Sequence, residues 1–296
     1  MSDYQITCCS TVDLTAERLR EREVSWACFH LSVGNDTYTD DFGRSIATKE
    51  IYRRMLAGED TKTSQVSIGE YEELFRPFLE AGKDVLHIAL SSGISGTVNS
   101  ARIAAEDLEE EFPGRKIFVV DSLCASSGYG MLVEMAADLR DAGKSIGEAR
   151  DILEVEKLHI QHWFFTSDLT FFIRGGRVSR TAGFIGKVMN ICPLLDVNSK
   201  GGLSPREKVR SKKAVIRRTV EIMKNLAENG TAYSGPCYIS HSECAEDAEA
   251  VRELVEETFP ALKGKVRIFP IGPTISCHTG PGTVALFYRG KERTDG

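Results

Sequence analysis

Residues 85–101 read VLHIALSSGISGTVNSA, and this stretch decides the fold class. Its apolar run over 85–90 predicts a buried strand, and residues 96–110 predict a helix that follows almost at once. The same alternation recurs on both sides, with strands predicted at 4–10, 24–33 and 116–120 and helices at 15–22, 48–56, 68–81 and 128–141. Strands that alternate with helices imply parallel βαβ units. Residues 1–160 are therefore predicted to form an α/β domain with a parallel sheet.

The second half of the chain has a different order of predicted strands and helices. A strand is predicted at 160–166, two short strands flank a hairpin turn at 198–202, and further strands are predicted at 238–241, 266–271 and 284–288. Amphipathic helices are predicted at 212–227 and 245–259. This mixture favours a separate α+β domain over 161–296, so the expected architecture is an α/β chain of two domains that meet near residue 160.

Composition limits the function classes. The chain of 296 residues carries 37 basic and 43 acidic side chains, a formal net charge of −6, which disfavours a nucleic-acid partner. Its eight cysteines include no CxxC pair, so neither a zinc site nor a redox pair is indicated, and no metal is expected. The sequence shows no signal peptide and no run of 18 apolar residues, so stable membrane insertion is not expected. The cytoplasm is the expected compartment.

The segment Ser91-Ser92-Gly93-Ile94-Ser95-Gly96-Thr97 is the first candidate site, because it joins the strand at 85–90 to a helix. Hydroxyls and backbone N–H groups converge at such a helix start, where an anion is favoured by the open donors and the helix dipole. It also lies at the carboxyl end of a parallel strand, where α/β sheets bind ligands. Helix capping by Ser95 is the structural alternative. Small polar residues and glycines are more numerous here than a cap requires.

A second candidate is the sequence Thr63-Ser64-Gln65-Val66-Ser67, which precedes a predicted helix. Ser67 and Glu70 have the spacing of a capping box, which explains Ser67 structurally. Thr63 and Ser64 are left without a structural role.

The third candidate is Arg174-Gly175-Gly176-Arg177-Val178-Ser179. Two glycines allow a tight reversal with positive φ, and the arginines beside it suit a carboxylate, a phosphate or a partner protein. A solvated turn is the default interpretation of such a pattern. We expect Arg174 and Arg177 to be exposed and to serve a docking partner.

The fourth candidate is His278-Thr279-Gly280-Pro281-Gly282, preceded by Gly272-Pro273-Thr274-Ile275. The histidine is expected on a turn at a strand end, where it could donate a hydrogen bond to an anionic ligand. A histidine that only satisfies the turn is the alternative.

Several catalytic signatures are absent from the sequence. It contains no GxSxG nucleophile elbow, no GxxxxGK[ST] phosphate loop, no HExxH helix and no GxGxxG dinucleotide motif. The enzymatic alternative is an acyl-transfer or hydrolytic reaction that uses Ser95 and His278. No acidic residue is marked out to orient His278, as a catalytic triad would require.

Taken in order, these segments resemble the DegV family of bacterial lipid-binding proteins. The family's DSTxDL, TSQPS, SSxxSGTxxSA, RGGRxS and HTGPG motifs correspond to residues 9–14, 63–67, 91–101, 174–179 and 278–282. Cys9 stands where the family usually has aspartate, Val66 replaces the proline of TSQPS, and Cys192 occupies a position often held by lysine.

The resemblance implies a carrier without an enzymatic activity of its own and without a cofactor. It implies two α/β domains with a long-chain fatty acid between them, whose carboxylate is bound by Thr63, Ser95 and His278. Ser64, Ser92, Gly96, Thr97 and Thr279 would support this head-group site. It further implies that a separate fatty acid kinase phosphorylates the bound acid for phospholipid synthesis, and that Arg174 and Arg177 dock this kinase.

Overall fold

The protein is described by a computed structural model that covers residues 4–179 and 191–295. Its strands are β1 Tyr4–Cys9, β2 Val24–Ala27, β3 His30–Val33, β4 Asp36–Thr39, β5 Thr61–Ser64, β6 Asp84–Ala89, β7 Ile117–Asp121, β8 Ile160–Thr166, β9 Ile191–Val197, β10 Leu203–Arg210, β11 Cys237–His241, β12 Arg267–Pro270 and β13 Thr283–Arg289. Its α-helices are α1 Ala16–Glu21, α2 Thr48–Leu56, α3 Ile68–Glu80, α4 Thr97–Glu111, α5 Ser126–Asp141, α6 Ile146–Glu156, α7 Thr170–Arg174, α8 Lys212–Leu226, α9 Ala245–Thr258 and α10 Pro273–Thr279.

The first sheet has the strand order β2-β1-β6-β7, and every pairing in it is parallel. Its central strands are nearly all buried because helices pack on both faces, and this explains their continuous apolar runs. The predicted parallel sheet and mixed α/β class are confirmed. Helix α4 begins eight residues after Ala89, so the Ser91–Thr97 segment lies at the carboxyl end of β6 as predicted.

The second sheet has the order β10-β9-β8-β13-β11-β12 and begins at Ile160. Its pairings are antiparallel except for that between β11 and β12. The predicted hairpin is present: the Asn198 N–H donates to the Gly202 carbonyl at 2.9 Å, and Gly201 has a φ of +76°. This sheet-rich second half accords with the predicted α+β character.

A third sheet, in the order β4-β3-β5, corrects the prediction of one strand over 24–33. The chain leaves the parallel sheet after Ala27, and His30–Val33 pairs antiparallel with both β4 and β5. Strand β5 is the polar sequence Thr61–Ser64, which has no apolar alternation that could have marked it. Helix α6 was also missed, although Ser145 and Glu148 form a capping box at its start.

The largest hydrophobic core contains residues from both larger sheets, including Ile6 and Leu86 from the first and Phe164, Leu195 and Phe287 from the second. The two sheets therefore face each other across shared apolar side chains. A domain boundary near residue 160 stays a prediction. Within 4–179 and 191–295, no helix has the length and apolar character needed to cross a membrane.

Candidate functional site

A cavity lies between the two larger sheets and contains about 760 Å³ of unfilled space, its mouth included. Most of its wall is apolar: Phe29, Leu90, Ile94, Ala125, Phe164, Phe172, Val197, Leu203, Ile271, Ile275, Ala285 and Phe287. Such a wall suits an apolar ligand.

Polar side chains from distant parts of the sequence line the same cavity. They include Thr63, Ser95, Arg177, His278 and Thr279. The Thr63 hydroxyl and His278 Nε2 are 2.8 Å apart, although 215 residues separate them in the sequence. The structure therefore brings the three predicted head-group residues, Thr63, Ser95 and His278, to one cavity.

Thr63 owes its orientation to the short strand β5. Successive side chains in a strand point to opposite faces, so Lys62 and Ser64 are exposed while Thr61 and Thr63 turn inward. The Thr61 hydroxyl donates to the Cys277 carbonyl at 3.2 Å, which ties β5 to the segment that carries His278. Ser64, predicted to support the head group, points to solvent and does not line the cavity.

His278 lies in the last turn of α10, and the prediction of a turn at a strand end is wrong. Pro273 occupies the first helical position and Gly280, with a φ of +61°, follows the last, an arrangement that starts and ends a short helix. The Tyr52 hydroxyl lies 2.6 Å from that of Ser276 and fixes the helix against α2.

His278 is neutral near pH 7. Burial, and to a lesser extent the nearby positive charge of Arg177, lowers its pKa from 6.5 to about 4. Its Nδ1 is buried without a hydrogen-bond partner among the described residues. When the imidazole proton is on Nδ1, that atom can donate to a ligand while Nε2 accepts from Thr63. A Cβ on Gly175 would lie 2.4 Å from Nδ1, so only glycine leaves room there.

Ser95 lies in the loop between β6 and α4 and is half-buried against the cavity. Its hydroxyl accepts a hydrogen bond from the Thr97 N–H at 3.3 Å, so it does contribute to the start of the helix. The Ser91 hydroxyl donates to the Gly201 carbonyl at 2.8 Å and holds the loop against the β9–β10 hairpin.

The other predicted supporting residues fall into three groups. Thr279 lines the cavity and its buried hydroxyl has no partner in the described parts of the chain. Ser92 and Gly96 are exposed and do not line it. Thr97 is buried, and its hydroxyl lies 2.5 Å from that of Tyr71.

Cys9, which replaces the family's usual aspartate, joins this buried network. Its sulfur lies 3.1 Å from the Tyr71 hydroxyl, and burial raises the pKa of the thiol to about 12. The nearby His87 is also neutral, because burial lowers its pKa to about 3. A neutral thiol is compatible with this uncharged interior, where an aspartate would need a partner.

The two arginines of the glycine turn have different environments. Arg174 is exposed as expected, but Arg177 is half-buried and lines the cavity, which corrects the prediction that both are exposed. Arg177 donates from Nε to the Ile94 carbonyl at 3.2 Å and from Nη1 to the Gly175 carbonyl at 2.6 Å. The turn at Gly176, with a φ of +71°, reverses the chain and directs Arg177 inward.

The enzymatic alternative receives no geometric support. No hydrogen bond joins Ser95 to His278 in the described parts of the chain, and no carboxylate there contacts His278 Nδ1. A triad needs both contacts. Among residues 4–179 and 191–295, no group of three or more His, Cys, Asp or Glu side chains is arranged to bind a metal.

Solved structures with the same fold are numerous. The chain resembles a fatty-acid-binding DegV family protein from Thermus thermophilus with a TM-score of 0.86 and 26% identity, over 98% of this chain and 100% of that one. A fatty acid binding DegV family protein from Streptococcus agalactiae matches with a TM-score of 0.84 and 26% identity, over 99% and 100%. The Fatty Acid Kinase (Fak) B3 protein of Streptococcus pneumoniae, solved with linoleic acid, shares the fold at 21% identity, a TM-score of 0.84 and coverage of 98% and 100%.

Sequence comparison identifies the family to which this chain belongs. The DegV domain-containing protein YteA of Lactococcus lactis is 37% identical over 284 residues, which cover 96% of each chain. A DegV domain-containing protein of Clostridium perfringens is 33% identical over 290 residues, 98% of each chain. The profile described as "Uncharacterised protein, DegV family" matches residues 4–291. This chain belongs to the DegV family.

Proposed function

We propose that this protein binds a long-chain fatty acid and presents it to a separate kinase that phosphorylates the carboxylate. The observation that carries the proposal is a single cavity with an apolar wall and a cluster of hydrogen-bonding groups at Thr63, Ser95 and His278. In this arrangement the carboxylate meets the polar cluster and the hydrocarbon tail occupies the apolar part.

The energetics favour a ligand with these two parts. Burial of one methylene contributes ~0.8 kcal/mol, so a sixteen-carbon tail contributes on the order of 10 kcal/mol before the costs of binding. A buried carboxylate stays charged only if donors compensate its lost hydration. The Ser95 hydroxyl and the Nδ1 of His278 supply such donors, Thr63 holds the imidazole through Nε2, and the positive charge of Arg177 adds a favourable field.

The relatives support this assignment. The Thermus thermophilus and Streptococcus agalactiae proteins, each 26% identical to this chain, are described as fatty acid binding. In our proposal the ATP site belongs to the partner kinase, which agrees with the lack of a nucleotide-binding motif in the sequence. The acyl phosphate would then enter phospholipid synthesis. We place this carrier in the cytoplasm, where its eight free cysteines stay reduced.

Native mass spectrometry of the freshly purified protein tests the binding step. We expect a mass excess in the range of a long-chain fatty acid, which is released on denaturation and identified by its fragment spectrum. A protein that carries no lipid, and that fails to take up added fatty acid after solvent extraction, would rule out the proposed ligand.

A further inference from the structure

Asp13 lies in the wall between the ligand cavity and the protein surface. It belongs to the Ser10–Leu14 segment, for which the proposed function gives no role, and its side chain is only 4% exposed. On one side Asp13 borders an outer groove that Arg44 and Glu17 also line. On the other side its carboxylate accepts a hydrogen bond of 2.5 Å from Ser126, which lines the cavity.

The same carboxylate holds the start of the helix that carries His278. Its Oδ1 accepts the Gly272 N–H at 2.9 Å, at the N-cap of α10. A Cβ on Gly272 would lie 2.8 Å from this oxygen, so the close approach requires glycine. No ion pair involves Asp13 in the part of the chain that the structure describes. Within the described residues, hydrogen bonds and the helix dipole balance the charge.

A second buried carboxylate, Asp40, approaches the same helix. Its Oδ2 accepts the Thr274 N–H at 3.1 Å, and its Oδ1 has no partner among the described residues. Among the described residues, the charges of this pair act on Tyr52 beside Asp13 and on Cys28 and Cys277 beside Asp40. Burial raises the pKa of each of these three groups, so they are uncharged near neutrality. Glu17 and Arg44 face Asp13 from the outer groove.

Asp13 is thus a buried acid that has no cationic partner among residues 4–179 and 191–295. Burial raises its pKa to about 7, against the lowering effect of its hydrogen bonds to Ser126 and Gly272, and the charge of Asp40 raises it further. Helix α10 has seven residues and spans about 10 Å, which sets the approximate separation between Asp13 and a ligand carboxylate beside His278. Both charges lie inside the protein, where solvent screens them little.

We propose that Asp13 couples ligand binding to a proton: the fatty-acid carboxylate binds preferentially when Asp13 is protonated. This inference rests on the proposed function and adds a regulatory residue to its site. Two negative charges about 10 Å apart at an effective dielectric constant of about 20 repel each other enough to weaken binding roughly tenfold. The affinity for the anionic acid therefore falls as pH rises through the range in which Asp13 loses its proton.

The test compares wild type with Asp13→Asn, whose side chain has the shape of the protonated acid and no charge. Dissociation constants are measured with a fluorescent polyene fatty acid and with the corresponding alcohol. We expect both proteins to bind the acid nearly equally at about pH 6, and the variant to bind it about fivefold more tightly at about pH 8, a ratio that rises toward about tenfold at higher pH. The fatty acid ionises to the same extent with both proteins, so its own ionisation does not change the ratio of their dissociation constants. The alcohol should show no difference at either pH.

A purely structural role for Asp13 would weaken the variant's binding at both pH values, which overturns the inference. An unchanged ratio across the pH range would overturn it as well. Asp41→Asn is the matched control, because Asp41 follows Asp40 in the chain but is bound to Ser45 and partly exposed. It removes the same charge without touching α10, and we expect its pH profile to match wild type.

Carboxyl-carbon NMR of the wild-type protein gives a second readout, should the variant fail to fold. We expect an aspartate signal that titrates near pH 7 and whose midpoint rises when the acid is added but not when the alcohol is added. If the fatty acid does not shift the titration midpoint of this aspartate signal, the coupling is contradicted. Absence of any binding by the acid would instead refute the proposed function itself.

Discussion

At the scale of single residues, the polar end of the cavity depends on burial. His278 stays neutral because the surrounding protein excludes water, and Thr63 at 2.8 Å fixes one of its ring nitrogens. A neutral imidazole beside hydroxyls offers hydrogen bonds and leaves the positive charge to Arg177. This combination can bind a carboxylate without burying a tight ion pair.

The low pKa of His278 makes the folded protein sensitive to acid. Its value is about 4 in the folded state against 6.5 in the unfolded chain. Between these values the unfolded chain binds more protons, so the free energy of unfolding falls as the pH is lowered. His278→Gln removes this titrating imidazole. As the pH is lowered through this window, we expect the variant to lose less stability than wild type, by up to about 1.4 kcal/mol per pH unit. Urea unfolding across this pH window measures it, and identical slopes would contradict it.

The sequence motifs allowed the main site residues to be predicted, but not their orientations. Thr63, Ser95 and His278 follow from their motifs and line one cavity. The inward direction of Arg177 depends on the backbone at Gly176, which the residue types do not determine. The contact of Asp13 with Gly272 joins residues 259 positions apart, and no local pattern encodes such a pairing.

At the scale of elements, the errors arise where polar or short segments form regular structure. Strand β5 is stabilised by its pairing with β3, a tertiary effect that its own sequence does not show. Helix α10 did carry a signal, since proline near the start and glycine after the end are typical of helices. The long, strongly patterned elements, such as α3 and β8, were predicted nearly to the residue.

The segment after β13 contains an anchoring residue that the sequence did not mark. Arg293 is 5% exposed, and its guanidinium donates to four backbone carbonyls, those of Leu123, Lys157, Val197 and Asn198. It thereby joins the β9–β10 hairpin to the first half of the chain. Arg293→Met would leave these acceptors without their donor, and we expect a loss of about 3 kcal/mol or more in the free energy of unfolding.

Denaturant unfolding measures this loss. The matched control is Arg252→Met on α9, whose side chain is partly exposed and forms an ion pair of 2.6 Å with Glu249 three residues earlier, a type of surface pair that contributes little to stability. The control should change stability by less than about 0.5 kcal/mol. Equal midpoints for the two variants would show that the Arg293 hydrogen bonds do not stabilise the fold.

At the scale of the whole molecule, two sheets enclose the cavity between them, and the glycine turn at 175–176 reaches from the cavity to the surface. The two arginines beside it should therefore have separate roles. Arg177→Ala should weaken fatty-acid binding, because it removes a positive charge from the cavity wall. Arg174→Ala should leave that affinity unchanged and reduce phosphorylation by the kinase, because its side chain is exposed.

Binding titrations and kinase assays on the two variants measure these effects independently. Loss of lipid affinity in Arg174→Ala would show that this exposed side chain belongs to the ligand site. Full phosphorylation of Arg174→Ala would show that the kinase docks elsewhere.

The central claim is that the carboxylate of a fatty acid binds at Thr63, Ser95 and His278. Its most direct test measures the dissociation constants of a long-chain acid and its methyl ester for wild type and Ser95→Ala. A hydrogen bond to a charged group contributes ~1.5–3 kcal/mol, so the variant should bind the acid roughly ten- to hundred-fold more weakly. The ester carries no charge and should lose much less affinity. Equal losses for acid and ester would contradict the account, because Ser95 would then shape the loop without contacting the carboxylate.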